Sequence, residues 1–154
     1  MDITQAQLAA DFTTARILFE EYARSLGIDL SFQGFAAELS SLHSMYAPPS
    51  GCLLIARRDG EALGCIGVRN LSGRSCEMKR LYVRDAARGS GLGRKLVLNA
   101  ISIARSLGYQ RMCLDTLADM TAARGLYRAL GFLDTEPYYQ TPLSGTSFMA
   151  LDLP

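Results

Sequence analysis

The chain has 154 residues, of which 49% are hydrophobic and 20% are charged, and its formal net charge at pH 7 is +1. This length and composition suit one domain with a sizeable apolar core, so we predict a single domain over residues 1–154. The small net charge argues against nucleic acid as a partner, and no apolar run is long enough to span a membrane.

The first part of the chain predicts two helices. Apolar residues recur every three or four positions over residues 15–26, and Gly27 provides a stop signal. The same spacing returns over residues 32–42, where Ser31 can cap the helix. The single histidine, His43, has no catalytic partner at a recognisable spacing, and we interpret it as a structural residue.

Short apolar runs then predict antiparallel strands. The runs at 52–56 and 62–68 flank an Asp-Gly dipeptide, which is typical of a tight hairpin turn. A further strand begins at Cys76, so three antiparallel strands are expected in succession.

The cysteines indicate a reducing compartment. They stand singly in or beside apolar runs, without the CxxC spacing of a metal site or redox motif, at positions 52, 65, 76 and 113. We therefore expect buried, free thiols and no metal site. The amino terminus lacks the basic and apolar regions of a signal peptide, so we expect a cytosolic (cytoplasmic) protein.

A glycine-rich loop follows the strand that begins at Cys76 and precedes another helix. Glycines alternate with other residues at 89, 91 and 93, so the backbone can take positive φ angles and come close to a ligand. The N–H groups freed there lie at the start of a helix, whose dipole favours negative charge. Basic side chains surround them: Arg84, Arg88, Arg94 and Lys95. The segment therefore predicts a pyrophosphate site.

Two other kinds of phosphate loop fit less well. A Walker loop needs a Gly-Lys dipeptide, which this stretch lacks. A dinucleotide-binding fingerprint would need a third glycine at position 94 or 96, where the chain has Arg94 and Leu96. Asp115 does fall near the place of a ribose-binding acid, so a nucleotide-dependent oxidoreductase stays open as an alternative.

The strand before the loop changes its apolar face between Met78 and Leu81. One extra residue, a β-bulge near Lys79 or Arg80, would return Leu81 and Val83 to the core and leave backbone amides unpaired for a ligand. A strand buried on both faces would also explain the pattern.

The last third of the chain alternates helices and strands. A helix is predicted over residues 92–107 with Gly108 as its stop, then a strand over 112–114 that returns parallel to the Cys76 strand. Another helix is expected over 120–130 and a final strand over 146–153. Together the elements predict an α/β (α+β) fold with one mixed antiparallel and parallel sheet flanked by helices.

Two motifs resemble the GNAT superfamily of acyl-CoA-dependent N-acetyltransferases. The segment Arg-Gly-Ser-Gly-Leu-Gly at 88–93 resembles the Arg/Gln-x-x-Gly-x-Gly/Ala signature of that family, and a strand ending in Leu-Tyr-Val precedes it. The segment 123–132 resembles the later A-x-x-L-Y-x-x-x-G-F signature. The motifs lie in the expected order within residues 76–132. The resemblance implies the GNAT-like fold and an acetyltransferase that uses acetyl-CoA.

The resemblance also implies where acetyl-CoA binds. The amide of Leu81 or Tyr82 would bind the thioester oxygen, and that of Val83 would bind the pantetheine arm. The pyrophosphate would lie on the glycine loop, whose residues are Arg88, Gly89, Ser90, Gly91, Leu92, Gly93 and Arg94. Many members have an asparagine seven residues before the motif tyrosine, and this chain has Met120 there, so one cofactor contact of the family is missing.

Two residues are candidates for proton transfer. The resemblance implies that Tyr127 donates a proton to the coenzyme A sulfur, whereas the helix pattern alone favours a packing role. Glu77 could accept the proton of the amine as a general base, or it could be a solvated partner of Lys79 or Arg80.

We expect direct transfer in a ternary complex, because no serine or cysteine lies in a nucleophile motif. The acceptor is predicted to be a small-molecule amine, in a pocket formed by the first helices (Tyr22, Phe32, His43) and the loop with Tyr138 and Tyr139. A non-catalytic acyl-CoA sensor is the second alternative, supported by Met120. The oligomeric state stays open, a homodimer included.

Overall fold

All seven strands of the protein belong to one mixed sheet, in the spatial order β1-β2-β3-β4-β5-β7-β6. The computed structural model describes residues 1–154. Neighbouring strands are antiparallel except for the central pair, β4 and β5. The strands are β1 (Asp2–Gln5), β2 (Cys52–Arg58), β3 (Glu61–Ser72), β4 (Ser75–Val83), β5 (Arg111–Thr116), β6 (Leu133–Asp134) and β7 (Ser147–Asp152). The mixed fold predicted from the sequence is confirmed.

Five α-helices flank the sheet, and none is both long and apolar enough to cross a membrane. They are α1 (Ala9–Leu26), α2 (Phe35–Ser40), α3 (Leu42–Met45), α4 (Leu92–Ser106) and α5 (Thr121–Ala129). Single 3₁₀ turns occur at Ser31–Gln33 and Asp85–Ala87. The predicted ends of α4 and α5 are confirmed: Gly108 and Gly131 follow them with φ angles of 92° and 100°.

The core has two parts, one on each face of the sheet. On one face, α4 and α5 cover a cluster of 22 buried residues that includes Cys76 and Met78 of β4. On the other face, α1 and α3 cover a smaller cluster of 10. Helix α4 contributes most of its buried side chains at a helical spacing, namely Leu92, Leu96, Val97, Ala100, Ile101 and Ala104.

The prediction of one continuous helix over residues 32–42 is wrong. The segment consists of a 3₁₀ turn and the short helices α2 and α3. Gly34 takes a left-handed φ of 71°, and Ser41 has a φ of −129°, so the helical hydrogen bonding is interrupted twice. Ser31 lies within the 3₁₀ turn and makes no side-chain cap bond. The edge strands β1 and β6 were not predicted.

The predicted bulge in β4 is confirmed. Lys79 pairs with Gly67 and Tyr82 pairs with Cys65, so two residues of β4, Arg80 and Leu81, lie opposite one residue of β3. Arg80 has a φ of 62°, a left-handed angle that is uncommon for a residue with a side chain. Beyond the bulge, Leu81 and Val83 pack against the larger core cluster.

The bulge is held by a buried ion pair. Glu38 of α2 accepts hydrogen bonds of 2.8 and 3.0 Å from the Arg80 guanidinium, and the two side chains are 1% and 3% exposed. Tyr46 donates to the same carboxylate at 2.9 Å, and Gln33 accepts from Arg80 at 2.9 Å. The strained residue therefore owes its conformation to the helices packed over it.

The four cysteines are buried and free, as predicted. Burial raises the pKa of the Cys52 and Cys76 thiols to about 12. These two side chains are therefore uncharged thiols at neutral pH and belong to the apolar core.

Candidate active site

The sheet opens at its centre, where β4 and β5 separate. Their parallel pairing extends only from Ser75 with Arg111 to Glu77 with Cys113. Past Glu77, the β5-facing edge of β4 has no strand partner. A narrow cleft of about 40 Å³ occupies the opening, lined by Tyr22, Met78, Lys79, Arg80, Leu81, Asp115, Met120, Ala123 and Tyr127. Because these residues come from both faces of the sheet, the cleft connects the two helical layers.

The backbone of Leu81, Tyr82 and Val83 lies along this open edge, as the sequence motif requires. The Tyr82 side chain points to the other face, where its hydroxyl donates to Glu21 at 3.2 Å. The Arg84 guanidinium donates to the same carboxylate and to the Ala62 carbonyl. Arg84 is thus engaged elsewhere, and its predicted place around the glycine loop is wrong.

The glycine loop presents a row of free backbone donors. None of the six consecutive N–H groups from Gly89 to Arg94 donates a hydrogen bond to another group of the protein, and the first helical bond of α4 runs from the Lys95 N–H to the Gly91 carbonyl at 3.2 Å. The Ser90 hydroxyl bonds back to the Ala87 carbonyl. Such a row at the start of a 15-residue helix has the geometry and partial charge that suit an anion.

The three glycines of the loop have different conformations. Gly89 and Gly91 have φ angles of 78° and 82°, which a residue with a side chain adopts only with strain. Gly93 lies inside α4 and has no positive φ, so the expectation of a left-handed angle there is wrong. A Cβ at Gly93 would be 3.9 Å from Leu126 and Val83, so the protein itself leaves room for it.

Basic side chains stand at the loop without acidic partners in the first turn of α4. Arg94 and Lys95 are exposed there, next to the positive end of the helix dipole, where cations are unfavourable unless an anion binds. Arg88 donates to the Val83 carbonyl at 3.2 Å and pairs with exposed Asp85 at 3.0 Å. Its backbone contact ties the loop to the end of β4.

Tyr127 is 6% exposed, and its ring packs 5.7 Å from that of Phe132. Its hydroxyl makes no hydrogen bond to the protein and lies at the cleft between β4 and β5. Burial, followed by the influence of Tyr22 and Asp115, raises the pKa of Tyr127 well above 10. The ring therefore packs as the helix pattern predicts, but its hydroxyl does not bond to a backbone carbonyl.

Glu77 is 1% exposed, so its interpretation as a solvated ion-pair partner is wrong. One oxygen accepts a 2.9 Å hydrogen bond from Nε of Arg69, forms an ion pair of 2.7 Å with a terminal nitrogen of the same guanidinium, and is 3.8 Å from the Lys79 ammonium. The other oxygen accepts a 2.7 Å bond from the Tyr138 hydroxyl, whose pKa is raised by burial and by Glu77. Both oxygens are therefore occupied.

Asp115 is a second carboxylate at the opening, and from the sequence we considered it only as a nucleotide-binding residue. It lies on β5 and lines the cleft together with Tyr127. Its Oδ2 accepts from the Tyr139 hydroxyl and from Gln33 at 3.4 Å, whereas its Oδ1 accepts no hydrogen bond. A carboxylate after a buried strand was visible in the sequence, but its position opposite the tyrosine depends on the separation of the two strands.

A larger cavity of about 230 Å³ adjoins the cleft, with Lys79 in the wall of both. It is lined by Phe32, Gln33, Arg69, Leu71, Glu77, Lys79, Tyr138 and Tyr139. The predicted contributions of Phe32, Tyr138 and Tyr139 to an acceptor pocket agree with this lining, and Tyr22 lines the cleft. The prediction for His43 is wrong, because its ring packs on Phe12 on the far side of the helices.

Comparison with known proteins agrees with the fold and the motifs. Residues 15–132 match the model of the Acetyltransferase (GNAT) family. An uncharacterized N-acetyltransferase of Schizosaccharomyces pombe is 41% identical, over 99% of this chain and 95% of that protein. An IAA acetyltransferase of Azospirillum brasilense is 34% identical, over 79% of this chain and 78% of that protein.

The fold also has solved counterparts. An acetyltransferase of the GNAT family from Staphylococcus aureus superposes with a TM-score of 0.80 over 99% of both chains, at 19% identity, which shows the fold alone. The mixed sheet with a single parallel pair rules out a dinucleotide-binding fold, so the oxidoreductase alternative is wrong. The chain belongs to the GNAT family of N-acetyltransferases.

Proposed function

We propose that this protein transfers an acetyl group from acetyl-CoA to the primary amine of a small molecule, by direct attack in a ternary complex. The observation that carries the proposal is the opening between β4 and β5. It brings together the unpaired edge of β4, the Tyr127 hydroxyl and Asp115, beside a separate cavity. Donor and acceptor can therefore meet from opposite sides of the sheet.

Acetyl-CoA is held mainly by backbone groups in this proposal. The pyrophosphate lies on the free N–H groups of residues 89–94, near Arg88 and Arg94. The pantetheine arm follows the edge of β4 past Val83. The thioester oxygen accepts from the amide of Leu81 or Tyr82, which stabilises the oxyanion of the tetrahedral intermediate.

The reaction then forms one bond and breaks another. The amine nitrogen attacks the thioester carbon, a carboxylate accepts the proton that the nitrogen loses, and the carbon–sulfur bond breaks. The Tyr127 hydroxyl supplies a hydrogen bond and a proton to the departing sulfur. Its raised pKa keeps it protonated at neutral pH, as a proton donor requires.

A small-molecule acceptor is supported by the size of the cavity, about 230 Å³.

The first experiment is release of free thiol from acetyl-CoA across a panel of amines. We expect CoA to appear only when an amine is present, with one acetylated amine per CoA. Acetyl-CoA at about 100 times its Kd should also stabilise the fold by about 2.7 kcal/mol. Thermal stabilisation by acetyl-CoA without turnover on any amine would favour a sensor. The absence of both stabilisation and turnover would refute the proposal.

Asp115 is the better placed of the two candidate bases, because its Oδ1 is free and both Glu77 oxygens are occupied. We expect Asp115→Asn to lower kcat/KM by roughly 10²-fold. Glu77→Gln should act less on kcat, since Glu77 positions Arg69 and Tyr138. Steady-state kinetics of both isosteric variants decide between them: a large loss in kcat for Glu77→Gln with a normal Asp115→Asn would return the role of base to Glu77.

The glycine loop gives a further test. A Cβ at Gly91 would meet no protein atom within 4 Å, so the side chain of Gly91→Val would project into the open space at the loop. We expect the Kd for acetyl-CoA to rise more than about tenfold, or 1.4 kcal/mol, in calorimetric titrations.

Gly108→Val is the matched control, because it also places a valine side chain at a glycine with a left-handed φ. Gly108 follows the other end of α4, has a φ of 92°, and likewise has no protein atom within 4 Å of a Cβ. The Kd of Gly108→Val for acetyl-CoA should stay at the parent value. Equal affinities in the two variants, both folded, would refute the pyrophosphate assignment.

A further inference from the structure

The cavity beside the cleft contains a buried lysine whose ammonium lacks a hydrogen-bond partner. The Lys79 side chain is 7% exposed, and its closest carboxylate oxygen, on Glu77, is 3.8 Å away. No side chain or carbonyl of the protein accepts a hydrogen bond from it. A nearly buried cation without such partners is unfavourable, and a carboxylate guest in the cavity would accept hydrogen bonds from it.

The lining of the cavity itself holds more positive than negative charge, although Asp115 of the adjoining cleft and Glu38 also act on the Lys79 ammonium. Among the residues that line it, Arg69 and Lys79 are cations and Glu77 is the single anion. Glu77 is already paired with Arg69, which donates a 2.9 Å hydrogen bond to it and forms an ion pair of 2.7 Å with the same oxygen. Arg80, the neighbouring cation, is paired with Glu38 outside the cavity. The lining therefore carries one excess positive charge, at Lys79.

The position of Lys79 limits where the guest carries its negative charge. Lys79 lines both the cavity and the cleft that holds Tyr127 and Asp115. An anionic group bound to its ammonium is therefore next to the point where the amine must meet the thioester. The remaining walls of the cavity are largely apolar or aromatic, from Phe32, Leu71, Tyr138 and Tyr139.

We propose that the acceptor is an α-amino carboxylate with an apolar side chain, whose carboxylate binds the Lys79 ammonium while its amine enters the cleft beside Asp115. This inference rests on the proposed function, because it names the acceptor of the same site. Burial and the neighbouring Arg80 lower the pKa of Lys79 more than the carboxylates of Glu77, Asp115 and Glu38 raise it, and a bound carboxylate would oppose that shift further.

Matched pairs of amines with and without the carboxylate test the proposal: phenylalanine with phenethylamine, and leucine with isoamylamine. We expect kcat/KM to be at least about tenfold higher for the amino acid of each pair, in line with a hydrogen bond to a charged group. Equal or higher kcat/KM for the amines without carboxylate would overturn the inference and leave the proposed transfer to amines intact.

Lys79 variants show whether this residue produces the preference. In Lys79→Met the ratio of kcat/KM within each pair should fall toward one, and Lys79→Arg, which keeps the charge, should restore most of it. A purely structural effect would lower both members of a pair equally and leave the ratio unchanged, which would overturn the role of Lys79.

A binding measurement decides the matter independently of turnover. Calorimetry compares N-acetylphenylalanine, the expected product, with its uncharged amide. The parent protein should bind the carboxylate at least about tenfold more tightly, and Lys79→Met should not discriminate. Equal binding of both by the parent would overturn the inference. Absence of acetyl-CoA binding and of turnover on every amine would instead refute the proposed function itself.

Discussion

Tyr127→Phe should lower kcat by roughly 10²-fold or more, the lower end of what a general acid contributes. The substitution removes only the hydroxyl, which makes no hydrogen bond to the protein, and keeps the ring that packs on Phe132. Stability should therefore change little. The Kd for acetyl-CoA should move by less than kcat, because backbone amides elsewhere hold the pyrophosphate and pantetheine.

The measurements are kcat at saturating acetyl-CoA and a separate Kd from calorimetry. Tyr109→Phe is the matched control, since Tyr109 is also buried but its hydroxyl donates to the Ser50 carbonyl, away from the cleft. It should keep kcat. If Tyr127→Phe loses affinity at unchanged kcat, the hydroxyl is a binding group, and if neither changes, Tyr127 only packs.

Glu38→Gln should lower the free energy of unfolding by about 3–5 kcal/mol, the typical effect of removing one member of a buried ion pair. The change leaves the Arg80 guanidinium buried without its anion, at a residue that already has a left-handed φ of 62°. Denaturant unfolding of parent and variant gives the difference. We expect the weakened bulge to lower turnover as well, since Arg80 and Leu81 line the cleft.

Acid provides a second check on this pair. Burial alone would raise the pKa of Glu38, but the hydrogen bonds and charge of Arg80 hold it below the ordinary value of 4.5. A lowered pKa means that the stabilisation is present above about pH 4.5 and is lost as pH falls through the lower, folded-state pKa. The difference between parent and Glu38→Gln should therefore shrink in acid.

Glu20→Gln is the control for the loss of a glutamate charge. Glu20 pairs with Arg16 one helical turn away, and the two side chains are 41% and 56% exposed. Solvent screens such a pair, so the free energy of unfolding should change by less than about 0.5 kcal/mol. Equal effects of Glu38→Gln and Glu20→Gln would contradict the importance of the buried pair.

The parts of the fold that local chemistry determines were predictable from the sequence. The phase change between Met78 and Leu81 predicted a bulge, and the structure has it at Arg80. The stop signal at Gly108 lies where α4 ends, and the helix expected over 120–130 ends just before Gly131. The alternating glycines at 89–93 predicted free backbone donors, which six consecutive N–H groups provide.

Features that depend on distant partners were not predictable in the same way. Arg84 was expected at the pyrophosphate, yet Glu21, 63 residues away in sequence, takes its guanidinium. Glu77 resembled an exposed acid because nothing in its neighbourhood in sequence shows that Tyr138 will cover it. Asp115 faces Tyr127 only because β4 and β5 separate after three paired residues.

The central claim is that the acetyl group passes directly from acetyl-CoA to an amine at the opening between β4 and β5. A single-turnover reaction tests it, with enzyme in excess over acetyl-CoA labelled with carbon-13 in the acetyl group, rapid quenching, and mass spectrometry of protein and small molecules. We predict that labelled amide appears at the rate at which CoA appears, while the mass of the protein stays constant. Protein that carries the label before the amide forms, or CoA released without labelled amide, would contradict the account.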